Sequence, residues 1–419
     1  MRIDRVCVVG LGYIGLPTAA LLAHNEIDVF GCDIDQTIVN TINSGKVHIA
    51  EKGLKNLVAK AVSNNRLSAS ITPTIADAYI IAVPTPLKTV AAAFPEPEIT
   101  YVETAFRSIA PLLKKGDLII LESTSPVGTT SKMASLLGEL RPDLKFPKKA
   151  DKKPDVNLIY CPERMIPGNA LSELVSNSRI IGGMTALCCE AAEKLYRLFV
   201  SGELYRTSSE TAEMVKLTEN ASRDVEIAFA NELSIVCDYL NLDVWEVIEL
   251  SNMHPRVNIL QPGPGVGGHC IAIDPWFIVS SAPEQTTLLQ TARKINDQKP
   301  LWVVEKIKCA ITEFLSTNPT KNIKDVKIAF YGATFKPDVD DLRESPAIAV
   351  IDEVKGFHAE NLMIVEPNVE HAEISEIRIV DMEFAYANAD ISVLLVNHKE
   401  FTARERPSSL IVDTKGIWN

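Results

Sequence analysis

The chain lacks the patterns that identify several large classes of protein. Its eight cysteines include no Cys-x-x-Cys pair and no Cys/His cluster completes a zinc site, so neither a metal centre nor a disulfide framework is predicted. Basic side chains are the minority, 42 against 54 acidic ones, and the net charge of −12 argues against nucleic acid as the main partner. A local basic pocket for an anionic small molecule is compatible with that charge. We therefore expect reduced thiols and a cytoplasmic location.

Long hydrophobic runs are also missing. The longest candidate, residues 6–23, is interrupted by three glycines and a proline, which is typical of a buried strand and turn rather than of a membrane span or signal peptide. The composition is instead globular, with 46% hydrophobic and 23% charged residues in a chain of 419 residues. At about 150 residues per domain, this length predicts two or three domains.

Short apolar runs alternate with helical patterns at both ends of the chain. The strand candidates are Arg5–Gly10, Asp28–Asp33, Ala78–Val83, Asp117–Glu122 and Asn157–Cys161, followed after residue 321 by Val326–Tyr331, Leu362–Val365, Ile391–Val396 and Ser409–Val412. Between them, residues 208–240 contain neither Gly nor Pro and keep a helical spacing. We predict an α/β fold of two Rossmann-like, doubly wound parallel-sheet domains joined by a long central helix, divided at 1–205, 206–305 and 306–419.

A glycine motif directly follows the first strand candidate. Gly10, Gly12 and Gly15 form Gly-x-Gly-x-x-Gly before a helical segment, and Asp33 ends the next strand candidate 18 residues after Gly15. The first glycine permits a tight turn, the second admits a pyrophosphate, and the third allows close helix–strand packing. The acid suits the ribose hydroxyls of NAD and would repel the 2′-phosphate of NADP. The motif predicts an NAD site, and the alternative is a tight turn without a ligand.

Cys270 differs from the other seven cysteines, whose apolar or helical surroundings favour core positions. It follows a Gly/Pro-rich loop at 261–268 and precedes Asp274. Such a loop can present a thiol at the mouth of a cleft, so a catalytic and a structural role are equally open on the residues alone. His269 beside it is predicted to be a loop residue.

Lys216, Asn220 and Arg223 are spaced by four and three residues, which places them on one face of the long helix. A lysine on that face, among apolar neighbours, could steady an oxyanion. The alternative is a solvated face on which Glu219 pairs with Arg223.

The segment 335–346 is a second candidate for binding an anion. Lys336 and Arg343 lie there, after a strand candidate of the second α/β domain, and could contact phosphates. A charged run of this kind is equally consistent with a solvated loop.

Together these segments resemble the UDP-glucose/GDP-mannose dehydrogenase family over essentially the whole chain. The matching motifs are Gly10–Gly15, Glu122–Gly128, Pro162–Arg164, Glu213–Asn220, Gly265–Cys270 and Phe335–Arg343. Within the family, the loops Pro162–Gly168 and His254–Gly263 are most similar to the bacterial branch that acts on UDP-N-acetyl-D-mannosamine. The UDP-glucose branch carries a lysine where this chain has Ile273, so any cofactor contact of that lysine is not carried over.

The resemblance implies an NAD-dependent, two-step oxidation of the C6 hydroxyl of a UDP-N-acetylhexosamine, for polysaccharide precursor synthesis, in a homodimer paired through the central helix. It implies catalytic roles for Cys270, Lys216, Asn220, Asp274, Glu163 and Thr124. It implies NAD contacts by Gly10, Gly12, Tyr13, Ile14, Gly15, Asp33, Thr85, Thr124 and Arg343. It implies UDP-sugar contacts by Arg164, Met165, Lys216, Asn220, Arg223, His254, Arg256, Gly267 and Lys336. The three predicted parts then become the NAD-binding domain, the catalytic and dimerisation region, and the UDP-sugar-binding domain.

Two other functions fit parts of the pattern. A one-step NAD alcohol dehydrogenase would need the Rossmann domain and the Lys/Asn helix but no thiol. A non-catalytic sensor would bind NAD and a UDP-sugar without turnover. UDP-glucose, UDP-GlcNAc and UDP-GalNAc are alternative substrates. Only a few atoms distinguish them from UDP-ManNAc, and the shape of the binding loops determines which of these atoms are recognised.

Overall fold

The computed structural model describes residues 3–88, 94–148, 153–165, 168–268, 270–370 and 372–418. Its backbone separates into two compact units. The first comprises Met1–Glu219 with Trp276–Pro283, and the second comprises Asn220–Pro275 with Glu284–Asn419. The three-part division based on the sequence stays a prediction. None of the helices among the described residues is long and apolar enough to cross a membrane.

The first unit is built on a sheet of eight strands, counted over the residues given above. They are β1 (Arg5–Val9), β2 (Asp28–Cys32), β3 (Leu67–Ser70), β4 (Ala78–Ile81), β5 (Leu118–Leu121), β6 (Asn157–Tyr160), β7 (Arg179–Gly183) and β8 (Leu204–Ser208). Their order is β3-β2-β1-β4-β5-β6-β7-β8, and all neighbours are parallel except β6 and β7. Every residue of β4 and β5 is buried, as expected where helices cover both faces. The strand order reverses between β1 and β4, so the doubly wound prediction is confirmed.

The second unit contains a smaller parallel sheet in the order β10-β9-β13-β14. The strands of this sheet are β9 (Ile328–Tyr331), β10 (Leu362–Val365), β13 (Ile391–Leu394) and β14 (Leu410–Asp413). A separate antiparallel pair is formed by β11 (Glu373–Ile374) and β12 (Ile377–Arg378). The nine strands that the sequence predicts are all present, with ends that differ by at most two residues. The weaker strands β3, β7, β8, β11 and β12 were not predicted.

Helices cover these sheets and connect the units. In chain order they are α1 (Gly15–His24), α2 (Gln36–Asn43), α3 (Leu54–Ser63), α4 (Thr100–Ile109), α5 (Thr129–Leu140), α6 (Ala170–Ser176), α7 (Ala186–Tyr196), α8 (Ser209–Tyr239), α9 (Val244–Asn252), α10 (Asp274–Ser281), α11 (Thr287–Thr317), α12 (Pro346–Phe357), α13 (Met382–Asn388) and α14 (Lys399–Thr402). Short 3₁₀ helices lie at Ala110–Leu112, Pro283–Gln285 and Ile323–Asp325. The 31-residue α8 confirms the predicted long helix, whereas the equally long α11 was not predicted.

Buried polar side chains link α8 to α11 within the second unit. Asp224 forms an ion pair with Arg293 at 2.6 Å, and Asn231 Nδ2 donates to Asn296 Oδ1 at 2.9 Å. The Oδ1 atom of Asn231 also accepts a hydrogen bond from the Gly263 N–H at 2.9 Å. The helix pair therefore anchors the start of the glycine-rich loop that leads to Cys270.

Candidate active site

The glycine motif forms the predicted turn. Gly10 has φ +92°, a value that favours glycine, and a Cβ on Gly15 would lie 1.8 Å from the Gly10 carbonyl oxygen. A Cβ on Gly12 would instead meet no heavy atom of the described residues within 4 Å. The protein does not need glycine at position 12 for its own packing, whereas a phosphate that approaches the backbone would need it.

Asp33 lies just past β2, and its carboxylate contacts the same turn. Its Oδ2 accepts a hydrogen bond from the Leu11 N–H at 3.0 Å, and its Oδ1 accepts one from the Asp35 N–H at 3.0 Å. Helix α1 begins at Gly15, so its first N–H groups and its dipole favour an anion at the turn. These residues fit NAD, because the turn offers amides to the pyrophosphate and Asp33 offers an acceptor to the ribose hydroxyls.

Other predicted NAD contacts follow the carboxyl ends of neighbouring strands. Tyr13 is partly exposed in the turn after β1, and Ile14 immediately precedes α1. Thr85 follows β4 and Thr124 follows β5, and both are half-buried. Open α/β sheets bind their ligands at this edge.

The loop after β6 contains the predicted residues Glu163 and Arg164. Glu163 is buried; its Oε2 accepts from Arg179 Nη2 at 3.0 Å, and its Oε1 accepts from the Arg164 N–H at 2.7 Å. The exposed guanidinium of Arg164 makes a two-point contact with Glu219 of α8, with Nη2–Oε1 at 2.6 Å and Nε–Oε2 at 3.0 Å. Half-buried Met165 packs on the core of this unit. Positions 166–167 of the same motif lie outside the described residues.

The ion pairs on the polar face of α8 differ from the Glu219–Arg223 pair considered from the sequence. Lys216 and Asn220 are half-buried one turn apart, and Arg223 is exposed. Arg223 pairs with Glu226 at 3.8 Å, whereas Glu219 is engaged by the two-point arginine contact. The alternative Glu219–Arg223 pair is therefore wrong, because Glu219 has a partner with better geometry.

All eight cysteines lie in the described part of the chain, and only Cys270 and Cys309 are exposed. The prediction that the other seven are core residues is correct for six and wrong for Cys309, which lies on the solvent side of α11. Burial raises the pKa of two of these core thiols, to about 11 in Cys7 and about 12 in Cys161. Such thiols are poor nucleophiles at neutral pH.

Cys270 lies in the turn that leads into α10. Its carbonyl accepts hydrogen bonds from the N–H groups of Ile273 at 3.1 Å and Asp274 at 2.9 Å. The buried carboxylate of Asp274 accepts one from Asn220 Nδ2 at 2.5 Å. The structure thus brings Cys270, Asn220 and Asp274 together in the second unit. His269 lies outside the described residues.

Two motifs that are far apart in the sequence meet in the second unit. A Cβ on Gly267 would lie 2.6 Å from both the Glu344 carbonyl oxygen and Pro346 Cδ, and 3.1 Å from Phe335 Cβ. Glycine is therefore required for this close approach. Lys336 follows directly, half-buried, with its Nζ 5.5 Å from the Phe335 ring centroid.

A buried histidine–glutamate pair holds this loop from behind, and sequence reasoning missed it. His398 Nε2 lies 3.1 Å from Glu366 Oε2, which also accepts from the Ala333 N–H at 2.7 Å. His398 Nδ1 accepts from the Asp338 N–H at 3.0 Å. Burial alone would raise the pKa of Glu366, but these hydrogen bonds lower it. The only sequence signal for the pair is that each residue follows a strand end.

The remaining predicted residues are exposed loop residues of the second unit. His254 and Arg256 follow α9, and the Arg256 N–H donates to His254 Nδ1 at 3.3 Å. Arg343 forms a two-point contact with Asp341, with Nε–Oδ1 at 2.9 Å and Nη2–Oδ2 at 2.7 Å. This contact lowers the pKa of Asp341. Arg343 therefore lies in the second unit, whereas the glycine turn lies in the first.

Sequence reasoning also missed Lys415. The Asp413 carboxylate accepts hydrogen bonds from the N–H groups of Lys415 at 2.6 Å and Gly416 at 2.8 Å, which shapes the turn after β14. The Lys415 Nζ lies 2.8 Å from the point that a Cβ on Gly263 would occupy. Burial lowers the pKa of this ammonium group. Its place in a strand-end turn of the second sheet was the available signal.

Three domain models of one family match the chain. They are the NAD binding domain of the UDP-glucose/GDP-mannose dehydrogenase family at residues 4–200, its central domain at 210–298 and its UDP binding domain at 329–419. The chain is 52% identical to UDP-N-acetyl-D-mannosamine dehydrogenase of Yersinia pestis, over 100% of both chains. It is 49% identical to NDP-N-acetyl-D-galactosaminuronic acid dehydrogenase of Ralstonia nicotianae, over 99% of this chain and 96% of the other.

Solved structures of UDP-N-acetyl-mannosamine dehydrogenases are also similar to this chain. UDP-D-ManNAc dehydrogenase of Pyrococcus horikoshii matches with a TM-score of 0.85 at 36% identity, over 99% of this chain and 96% of the other. The UDP-N-acetyl-mannosamine dehydrogenase of Staphylococcus aureus matches with a TM-score of 0.83 at 39% identity, over 99% and 95%.

Proposed function

This chain belongs to the UDP-glucose/GDP-mannose dehydrogenase family of NAD-dependent UDP-sugar oxidoreductases, and from that premise we propose its substrate and mechanism. We propose that it oxidises the C6 hydroxyl of UDP-N-acetyl-D-mannosamine to a carboxylate, a polysaccharide precursor, through a covalent bond to Cys270. The names of relatives with about half of their residues in common support this substrate. We place the reaction in the cytoplasm, because a reactive thiol needs a reducing compartment.

The proposed mechanism depends on the position of Cys270. It is exposed at the end of a glycine-rich loop, next to the buried contact between Asn220 and Asp274. Six of the other seven cysteines are buried, and the exposed Cys309 lies on α11. A nucleophilic thiol needs both access to the substrate and polar groups that handle charge and protons.

The chemistry explains why a thiol is needed. Loss of a hydride and a proton from the CH₂OH group gives an aldehyde, whose trigonal carbon is a poor hydride donor. Addition of the Cys270 thiolate forms a C–S bond and a tetrahedral thiohemiacetal, from which the second hydride leaves to give a thioester. Water then adds to the thioester carbonyl, the C–S bond breaks, and the thiolate leaves the carboxylate product. Bound NAD supplies the oxidant, since two NAD each accept one hydride.

The polar residues have complementary roles in this proposal. Lys216 and Asn220 stabilise the C6 oxygen as negative charge builds on it. Asp274 orients the Asn220 amide and assists proton movement at the C6 oxygen. Glu163, or a water held by Thr124, takes a proton from the hydrolytic water.

Two sets of residues are proposed to hold the two ligands. NAD would be held by Gly10, Gly12, Tyr13, Ile14, Gly15, Asp33, Thr85, Thr124 and Arg343. The UDP-sugar would be held by Arg164, Met165, Lys216, Asn220, Arg223, His254, Arg256, Gly267 and Lys336. Arginine and lysine side chains in this set suit a diphosphate.

The mechanism is tested by removing the thiol. Cys270→Ala should form no uronate and at most one NADH per sugar, because the aldehyde can no longer become a tetrahedral hydride donor. Cys309→Ala is the matched control, since it removes the other exposed thiol, and it should keep two NADH per sugar. NADH is measured by absorbance and the acid product by mass spectrometry. Two NADH per sugar from Cys270→Ala would exclude the thioester route in favour of direct oxidation.

The substrate is tested by comparing four UDP-sugars. UDP-ManNAc should give the highest kcat/KM, ahead of UDP-GlcNAc, UDP-GalNAc and UDP-glucose, with mass analysis of each acid. A higher kcat/KM for any of the other three would overturn the choice of substrate and leave the mechanism intact. Binding of NAD and all four sugars without NADH formation would instead indicate a sensor.

We further propose that the chain forms a homodimer through α8. Phe229 and Val236 are exposed seven residues apart, which places them on one face of this helix, and the exposed Leu240 directly follows its end. Phe229→Glu with Val236→Glu should convert dimers to monomers in analytical ultracentrifugation. Ile323→Glu, which changes an exposed apolar residue elsewhere in the second unit, should not. Dimers in both variants would contradict this interface.

A further inference from the structure

A buried polar cluster lies behind Glu163 in the first unit, and the mechanism above does not use it. It contains Glu122, Cys161, Arg179 and Tyr196, all at most 4% exposed. Glu122 directly follows β5, Cys161 follows β6, and Arg179 begins β7. The cluster therefore lies among the strand ends of the large sheet, with Glu163 at its border.

Both carboxylate oxygens of Glu163 are held. Arg179 Nη2 donates to Oε2 at 3.0 Å, and the N–H of Arg164 donates to Oε1 at 2.7 Å. A carboxylate held at both oxygens cannot rotate about its terminal bond without losing a hydrogen bond. The guanidinium of Arg179 thus determines which lone pairs of Glu163 are left for another partner.

Arg179 is itself held from three sides. Its guanidinium carbon lies 4.8 Å from the centroid of the Tyr196 ring and 5.8 Å from that of Phe199. Its Nη1 lies 3.9 Å from Glu122 Oε1, which accepts a hydrogen bond from the Tyr196 hydroxyl at 2.9 Å. The two rings and Glu122 leave the guanidinium little freedom to move away from Glu163.

Stability alone does not account for this cluster. Burying a guanidinium with two carboxylates is costly, and well-packed apolar side chains in the same volume commonly stabilise a fold as well or better. Within the described residues, Arg179 Nε, Arg179 Nη1 and Glu122 Oε2 are also buried without a hydrogen bond. An incompletely satisfied buried cluster at the ligand edge of a sheet is more consistent with a function than with packing.

We propose that Arg179 is a positioning residue for Glu163 in the hydrolytic half of the reaction, and that Glu122 and Tyr196 hold Arg179. This inference rests on the proposed function, in which Glu163 accepts a proton from the water that attacks the Cys270 thioester. The water oxygen bonds to the carbonyl carbon, the C–S bond breaks, and the electron pair leaves on sulfur. A fixed carboxylate aims its free lone pair at that water, whereas a rotating one does so only part of the time.

The test uses the full-length enzyme with Arg179→Lys, which keeps the positive charge but removes the planar contact. We expect kcat and KM to fall together by about 10- to 100-fold with little change in kcat/KM, because only the step after thioester formation is slowed. NADH should appear in a burst of two per active site, and intact mass spectrometry should show the acyl group on Cys270. Arg206→Lys is the matched control, because it changes an exposed arginine of the adjacent strand β8; it should show neither effect.

A double-variant comparison separates positioning from a general structural effect. If Arg179 acts through Glu163, adding Arg179→Lys to Glu163→Gln should cause little further loss of the hydrolysis rate. Losses that multiply in the double variant would overturn the proposal. So would a folded Arg179→Lys enzyme that has a wild-type kcat, or a low kcat without the burst and the adduct.

Two further experiments separate a failure of this inference from misfolding and from a failure of the proposed function. If Arg179→Lys does not fold, Tyr196→Phe removes only the hydroxyl that binds Glu122, and decay of the acyl adduct should slow several-fold; unchanged decay would refute the proposal. Failure of the proposed function looks different, because Cys270→Ala would then still yield two NADH. If Cys270→Ala is inactive but no Arg179 variant accumulates an adduct, only the inference about Arg179 fails.

Discussion

The two units prepare the carboxyl edge of a parallel sheet for a ligand by different means. In the first unit, the turn at Gly10, Gly12 and Gly15 needs no side chain, because backbone amides and the start of α1 provide the anion site. Asp33 adds one acceptor and is bonded to the turn itself. The turn itself consists of six consecutive residues, Gly10–Gly15.

In the second unit, the proposed phosphate contact is Lys336, and distant segments hold its loop in place. Lys336 lies on a loop that packs against Gly267, more than sixty positions earlier in the chain, and that the buried pair of Glu366 and His398 anchors from behind. By this comparison, the proposed backbone site is local in sequence, whereas the proposed side-chain site for phosphates is assembled from distant segments.

The largest effect is expected when a methyl group is placed in the glycine turn. Gly12→Ala should lower NAD affinity by about 100-fold, because the Cβ would occupy space that the pyrophosphate needs. Its folding and its affinity for UDP should not change, since that Cβ meets no described heavy atom within 4 Å. Calorimetric titration with NAD and with UDP measures both affinities.

Gly138→Ala in α5 is the control for the glycine turn, because a Cβ there also meets no heavy atom of the described residues within 4 Å. It should bind both ligands like the wild type. Equal NAD affinity of Gly12→Ala and Gly138→Ala would show that the dinucleotide does not use the turn.

The second unit should respond in the opposite way to the loss of one charge. Lys336→Ala should weaken UDP binding by about 10-fold, because a charge-assisted contact to phosphate is lost, and should leave NAD binding unchanged. The deficit should shrink as salt is added. Lys324→Ala removes a lysine of the same unit whose side chain is 74% exposed and should have no effect. Equal UDP affinity of the two variants would remove Lys336 from the site.

The same difference explains what the sequence could predict. The glycine turn, Asp33 and the long α8 were predictable because their signals are local in period and spacing. The contact of Asn220 with Asp274, 54 positions apart, was not predicted, because the family resemblance implied only a catalytic role for each residue. The pair of Glu366 and His398 could not be predicted, since no spacing connects the ends of two different strands. Helix α11 was missed because Pro300 interrupts its pattern, although the chain continues through it as a helix.

Each unit also buries one titratable group whose pKa is shifted to about 7, a lysine in the second unit and a glutamate in the first. Lys299 in the second unit is 2% exposed, donates to Ser234 Oγ at 2.5 Å and lies 3.6 Å from the Trp302 ring centroid. Burial lowers its pKa to about 7. Between pH 7 and about 10.5 the unfolded chain then binds a proton that the folded chain does not, so stability rises with pH.

Lys299→Met should remove this dependence. The free energy of unfolding of the wild type, relative to the variant, should rise by about 1.4 kcal/mol per pH unit between pH 7.5 and 9.5 in urea titrations. Lys308→Met, which changes an exposed lysine of the same helix, should track the wild type. A pH-independent difference between wild type and Lys299→Met would show that Lys299 is charged in the fold.

Glu122 should give the opposite sign in the first unit, with a smaller total effect because its pKa moves less. Burial, and the nearby Glu163 carboxylate, raise the pKa of Glu122 to about 7 against the attraction of Arg179. The folded chain therefore keeps a proton that the unfolded chain releases above about pH 4.5, so stability falls by about 3 kcal/mol as pH rises to 7 and then levels off. Glu122→Gln, which mimics the protonated form, should lack this fall in urea titrations, whereas Glu139→Gln, on the exposed face of α5, should keep it. If both variants fall alike between pH 5 and 7, Glu122 is ionised in the fold, and only the Lys299 prediction for the second unit remains.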